Sequence, residues 1–178
     1  AINMGVTLSE GNLRNGVNST EAGSPHDAHG TIPVTTGKWY FETHIGNVVG
    51  GNIGIFNLNE ADVFLNNTGS PVSNPFCDGE GWGFVMGSGN KEHAASNVSF
   101  DSAPSVGDIF MTAFDMDAGK IWWGVNGTWL QSGNPATGSN AVYDEGALGF
   151  GYAVPVLNAS DSVELTGNFG QDSSFAGA

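Results

Sequence analysis

Turn-forming residues interrupt this chain about every ten residues: Gly, Asn, Ser and Pro recur so regularly that no window sustains helical periodicity over three turns. A chain cut this often can bury apolar surface only by pairing many short strands across turns. Glycine supplies much of the interruption, with 28 in 178 residues, about twice the ~7% usual in globular domains. The expected class is therefore all-β and antiparallel.

Alternation locates the strands. Over Lys38 to Ile45, Trp39, Phe41, Thr43 and Ile45 point one way and Lys38, Tyr40, Glu42 and His44 the other, which predicts one core face and one wet face. Ile109 to Met116 is apolar on both faces, as a central strand covered on both sides should be. The turn Asp117-Ala118-Gly119-Lys120 then returns the chain into Ile121 to Val125, with Ile121, Trp123 and Val125 on one face and Trp122 on the other. Further strands are expected at Val6 to Ser9, Asn52 to Asn57, Gly81 to Met86, Asn97 to Phe100, Leu148 to Leu157 and Ser162 to Phe169. Glu60 to Cys77 and Ser132 to Glu145 lack strand character and read as long loops, which in a compact domain tend to carry function.

Charge removes whole classes of partner. Eighteen acidic residues stand against four basic ones (Arg14, Lys38, Lys91 and Lys120), a formal net charge of -14. Such a surface repels phosphate backbones and anionic lipid, so no nucleic acid partner and no membrane-surface role is expected. Membrane insertion by a helix is not expected either: the longest apolar run, Ile109 to Phe114, is broken by Thr112 and is far short of the ~20 residues needed. The single cysteine, Cys77, can form neither an intramolecular disulfide nor a cysteine-based zinc site. At 178 residues the chain suits one domain spanning 1–178, and a chain opening on Ala1 is expected to be processed or cut from a longer polypeptide.

Catalytic chemistry finds little to stand on. Glycoside hydrolysis needs two carboxylates flanking the bond, and Glu60 with Asp62 is the nearest pair, but Val63, Phe64 and Leu65 follow without a third carboxylate. There is no G-x-S-x-G elbow, and Cys77 has no basic neighbour to lower its pKa. His26-Asp27-Ala28-His29 offers zinc-type ligands but lacks a fourth, so it reads as a solvated turn. Asp115, Asp117 and Gly119 lack the further oxygen ligands of a calcium loop, and Asp117 reads as a hairpin residue. Asp62, Asn66 and Asn67 form a weak calcium candidate, against the plainer reading that they cap their own backbone. No cofactor is expected.

Aromatic residues divide by position. Trp39, Trp82 and Trp122 lie in strand motifs and are expected in the core, where burying such a side chain is worth upward of ~2 kcal/mol. Trp129, beyond the Asn126-Gly127 turn, and Phe64 and Phe76, in the first long loop, are freer to act as contacts.

Motifs along nearly the whole chain resemble the SPRY (B30.2-like) family in its bacterial and phage form. They run from Val6-Thr7-Leu8-Ser9 with Gly11-Asn12-Leu13, through Gly37-Lys38-Trp39-Tyr40-Phe41-Glu42, to Asn52-Ile53-Gly54-Ile55 and Gly81-Trp82-Gly83-Phe84. The most specific stretch is Gly107-Asp108-Ile109 through Asp115 to Trp122 and on to Asn126-Gly127, followed by Ala153-Val154-Pro155-Val156 and Asn168-Phe169-Gly170-Gln171. The resemblance implies a concanavalin-like antiparallel β-sandwich of two curved sheets, and a non-catalytic recognition module whose edge loops bind the partner. The loops so implicated are Glu60 to Cys77 and Leu157 to Asp161; with Trp129, taken from its place beyond the Asn126-Gly127 turn, the candidate binding residues are Asp62, Phe64, Asn66, Phe76, Trp129, Leu157 and Asn158. The partner is expected to be a protein or a cell-surface glycan, with homo-oligomer or particle assembly compatible. A phage virion component or other extracellular surface protein is the expected setting, with a calcium-assisted lectin as the alternative.

Overall fold

The computed structural model of the chain describes residues 2–3, 7–9, 14–16, 26–47, 51–57, 76, 79, 81–144, 152–159 and 163–173. These residues form two antiparallel sheets. The first runs in the order β1 (Ile2–Asn3), β4 (His26–His29), β14 (Ala153–Ala159), β6 (Asn52–Asn57), β7 (Gly81–Val85), β8 (Asn90–His93) and β9 (Ser96–Ser99). The second runs β12 (Thr128–Trp129), β11 (Lys120–Val125), β10 (Ile109–Asp115), β5 (Lys38–Ile45), β15 (Glu164–Asn168), β3 (Arg14–Gly16) and β2 (Thr7–Ser9), with β13 (Tyr143–Asp144) also paired to β11. The all-β sandwich is thus the observed fold.

Alternation built the interior where it was clearest. From β5, Phe41 and Ile45 point inward; from β6, Ile53 and Ile55; from β7, Trp82 and Phe84; from β10, Phe110 and Phe114; from β11, Ile121 and Trp123. Phe84 lies at the centre of an aromatic cluster, 4.8 Å from Phe110 and 5.4 Å from Trp123 by ring centroids. Each such burial contributes about 1.5–3 kcal/mol, so this inter-sheet layer is the main source of stability. The predicted hairpin is present with Asp115 opposite Lys120. Its turn is held by the Asp115 carboxylate, which accepts from the N–H groups of Asp117 (3.0 Å) and Ala118 (2.9 Å). Asp117 instead accepts from Gly37 N–H at 3.1 Å, tying the turn to the start of β5. Asn126 and Gly127, with φ of 49° and 80°, form the two-residue turn that lets Thr128 pair with Val125, the left-handed pair such hairpins demand.

Other expectations need correction. His26 to His29 is not a turn: it is β4, pairing with β14 on one side and β1 on the other, because the ladder overrides a sequence with no apolar alternation. Ser132 to Glu145 contains an Asn134–Ser139 bridge and β13. Asn90 to His93, polar throughout, is also a strand. The strand predicted over Leu148 to Leu157 is seen as β14, with 148–151 outside the described residues. Trp39 is 47% exposed although Phe41 on the same face is buried. It sits at the strand end, where the sheet no longer covers it and its indole N–H donates to Thr36 O at 2.8 Å.

Candidate functional site

The outer face of the first sheet is closed by the chain itself. Gly54 on β6 faces Gly83 on β7 across the ladder. A Cβ at Gly83 would stand 2.7 Å from the Phe76 ring, and one at Gly54 would stand 2.9 Å from it and 2.0 Å from Trp82 O. The two glycines therefore form a slot that only a bare backbone can leave open, and Phe76 fills it. Phe56, Val154 and Val156 complete this second apolar cluster. Phe76 is fully buried, so it anchors the segment that carries it and is not an exposed contact. Beside it, Asn52 Nδ2 donates to Glu92 Oε2 at 2.6 Å, both residues being buried.

The other proposed edge-loop residues fall on two sides of what is described. Asp62, Phe64, Asn66 and Asn67 lie outside the described residues, as do Glu60 and Cys77. Leu157 and Asn158 are in β14, each 6% exposed and paired with β4 and β6. Their side chains belong to the sandwich and are not loop contacts. Among the described residues no group of three or more His, Cys, Asp or Glu could hold a metal ion.

Trp129 leads to a different surface. On the outer face of the second sheet, register sets Trp122, Ala113 and Tyr40 side by side across β11, β10 and β5. Trp129 pairs with Gly124, where a Cβ would come within 3.2 Å of its ring and 2.8 Å of Thr128 O. The missing side chain lets the Trp129 ring lie over β11 and meet Tyr40 edge-on, with centroids 6.2 Å apart and planes at 75°. Opposite stands the 134–139 turn, closed by bonds of 2.9 Å from Asn134 N–H to Ser139 O and from Gly138 N–H to Asn134 O. Its Pro135 and Ala136 form the far wall of an open groove of ≈ 280 Å³. Lys38, Trp39 and Asp115 stand at one end.

Several polar atoms around this groove are already engaged. Trp122 Nε1 donates to Ser139 O at 2.8 Å, and Tyr40 OH donates to Glu42 Oε1 at 2.5 Å. Lys38 Nζ lies 3.6 Å from Asp115 Oδ2. Partial burial, and then the hydrogen bond and negative charge of Glu42, push the Tyr40 phenol well above the usual tyrosine range, so it stays a donor. The sequence marked Trp129 as a contact, but Tyr40 was read only as the wet face of β5 and Pro135 only as loop. The signal was non-local: it needed the β5–β10–β11 register.

No family model matches the chain, and no curated protein matches it by sequence. Solved structures do. The SPRY domain of human HERC1 superposes with a TM-score of 0.70 at 15% identity, covering 96% of this chain and 96% of that one. A second human SPRY domain gives 0.67 at 13% identity, covering 97% and 99%. At such identity the likeness is one of fold, and by that measure the chain is a SPRY-like β-sandwich.

Proposed function

We propose that this protein is a non-catalytic recognition module that binds another macromolecule, a protein first, on surfaces carried by a rigid sandwich. The observation that carries this reading is the exposed aromatic groove formed by Tyr40, Trp129 and Pro135, since aromatic rings left open on an otherwise acidic surface are favoured contact anchors. The SPRY-like fold supports it, because sandwiches of this kind hold binding residues on a preformed frame. Asp62, Phe64 and Asn66 of the 60–77 segment are the second surface of the same proposal, from which the buried Phe76, Leu157 and Asn158 are left out.

The finer reading makes the protein part of a phage virion or another particle or cell-surface assembly, as a fibre, spike or capsid decoration. Its support is compositional: net charge -14 and a Gly-rich, Lys-poor chain suit an exposed extracellular surface. Labelling of intact particles or cells by an antibody to the domain checks this; labelling only after lysis overturns it.

The binding proposal is tested by selecting a displayed random-peptide library on the full chain and, in parallel, screening a glycan array with millimolar calcium and with EDTA. The expected result is a peptide consensus whose binding falls in Phe64→Ala or Trp129→Ala and is unaffected by EDTA. Selective binding to one glycan with no peptide enriched would replace the protein reading with a lectin, and its loss in EDTA would assign calcium to the Asp62 segment.

A further inference from the structure

The groove on the second sheet has properties that select its occupant. Its floor is the β5–β10–β11 ladder, in which Tyr40, Ala113 and Trp122 are paired in continuous antiparallel register. Backbone amides there are consumed within the sheet, so an incoming chain finds no backbone partner on the floor. Three of the four ring donors around it, those of Trp39, Trp122 and Tyr40, are each bound to an acceptor of this chain. A sugar stacking on these rings would therefore find few hydrogen-bond partners for its hydroxyls on the groove itself. An ordinary extended peptide would lose water from its own N–H groups in the same way.

Proline avoids the donor half of that cost because it has no N–H, and the carbonyls of a polyproline II segment stay turned to water in an open groove. Its flat apolar ring suits a shallow groove walled by Tyr40, Trp129 and Pro135. Charge complements this. In the ladder Asp115 lies between Lys38 and Lys120, Lys120 Nζ lies 3.0 Å from Asp144 Oδ2, and Asp117 accepts from Gly37 N–H, so three carboxylates meet two ammonium groups at that end. The chain as a whole carries -14. From these observations we infer that the Tyr40–Trp129–Pro135 groove binds a proline-rich segment of another protein, with a basic residue at the acidic end beside the exposed Asp117. The inference rests on the recognition reading above only in taking the ligand to be protein; it places the contact on a sheet face rather than on the edge segments.

The test uses the full chain, uniformly ¹⁵N-labelled, with indole N–H signals followed during titration. The probes are Ac-Arg-Pro-Pro-Pro-Pro-Pro-Arg-NH2, the same peptide with Gly-Ser-Gly-Ser-Gly in place of the prolines, and maltohexaose. Saturable shifts at the Trp39 and Trp129 indoles are expected with the proline peptide alone. Trp129→Ala and Ala136→Arg should each weaken binding by roughly tenfold or more, the first by removing a wall and the second by filling the groove and repelling the basic end. Ala136 is exposed, so its variant keeps the fold even where Trp129→Ala does not. Tyr40→Phe should bind within about twofold of the parent, because the ring recognises the ligand while the hydroxyl is spent on Glu42. Equal binding of the Gly-Ser peptide would reduce the site to charge attraction and overturn the inference. Maltohexaose at the same indoles, shifts that depend only on protein concentration, or no saturable shift would each overturn it too. A peptide consensus from the library that ignores both groove variants would sink the groove and leave the recognition reading standing.

Discussion

The outer faces of the two sheets meet the same problem and solve it differently. On the first sheet, Gly54 and Gly83 open a slot and the chain's own Phe76 fills it, with Phe56, Val154 and Val156 around it. On the second, Gly124 also clears space, but the ring it admits, Trp129, covers only part of the floor, and the groove to Pro135 stays open. A glycine pair aligned across a ladder makes room for a whole ring, and Phe76 is fully buried there. A single glycine admits a ring that stays partly exposed, as Trp129 does, and an exposed ring is what a partner can use. The comparison predicts that aromatic truncation costs stability on the closed face and binding on the open one.

Phe76→Ala should show the largest effect. The ring is fully buried between two backbones that cannot move together to fill its place, so a loss of about 3–5 kcal/mol is expected in urea unfolding. A loss below ~1 kcal/mol would mean that the slot does not hold the ring.

Gly54→Ala attacks the same slot from its floor. The new methyl would stand 2.0 Å from Trp82 O and 2.9 Å from Gly83 Cα, contacts with backbone that no rotamer relieves. Overpacking of this kind costs about 1–3 kcal/mol and should reduce the unfolding midpoint. If the midpoint is unchanged, the strand separation assigned to β6 and β7 is wrong.

How much of this could be read in advance follows the range of the interactions. The strands Lys38–Ile45 and Asn52–Asn57 were predicted to the residue, and the Asp115–Lys120 hairpin almost so, because alternation and turn chemistry are local. Strands β4 and β8 were invisible, since His-Asp-Ala-His and Asn-Lys-Glu-His have no apolar period and become strands only by joining a ladder. Phe76 was placed as a contact because its slot exists only once Gly54 and Gly83 are adjacent, a fact of register between β6 and β7. Trp129 was legible as a contact, whereas its partners Tyr40 and Pro135, far away in sequence, were not.

On the open face, Trp129→Ala is the counterpart of Phe76→Ala. Its ring is partly exposed and its principal packing is the edge-on contact with Tyr40, so only about 0.5–1.5 kcal/mol should be lost. A loss as large as that of Phe76→Ala would show that both faces are sealed, and the comparison would fail.

The smallest effect is confined to alkaline pH. Burial and the neighbouring Glu42 carboxylate hold the Tyr40 phenol above its ordinary value, so in the folded chain it keeps its proton after an unfolded tyrosine has lost it near pH ~10. The folded state then binds more protons than the unfolded one, and stability must fall as pH rises through that window; below it the contribution is fully present. Tyr40→Phe removes the group that titrates while keeping the ring. Unfolding midpoints measured from pH 8 to about 11 should therefore decline less steeply in the variant than in the parent, after both are referenced to pH 8. Parallel declines would show that the Tyr40 hydroxyl is not held by Glu42 and is free in the groove, where it could meet a ligand's polar atoms. That outcome would also remove the argument that the groove prefers a ligand without donors, so this modest pH slope reports on the chemistry of the open face.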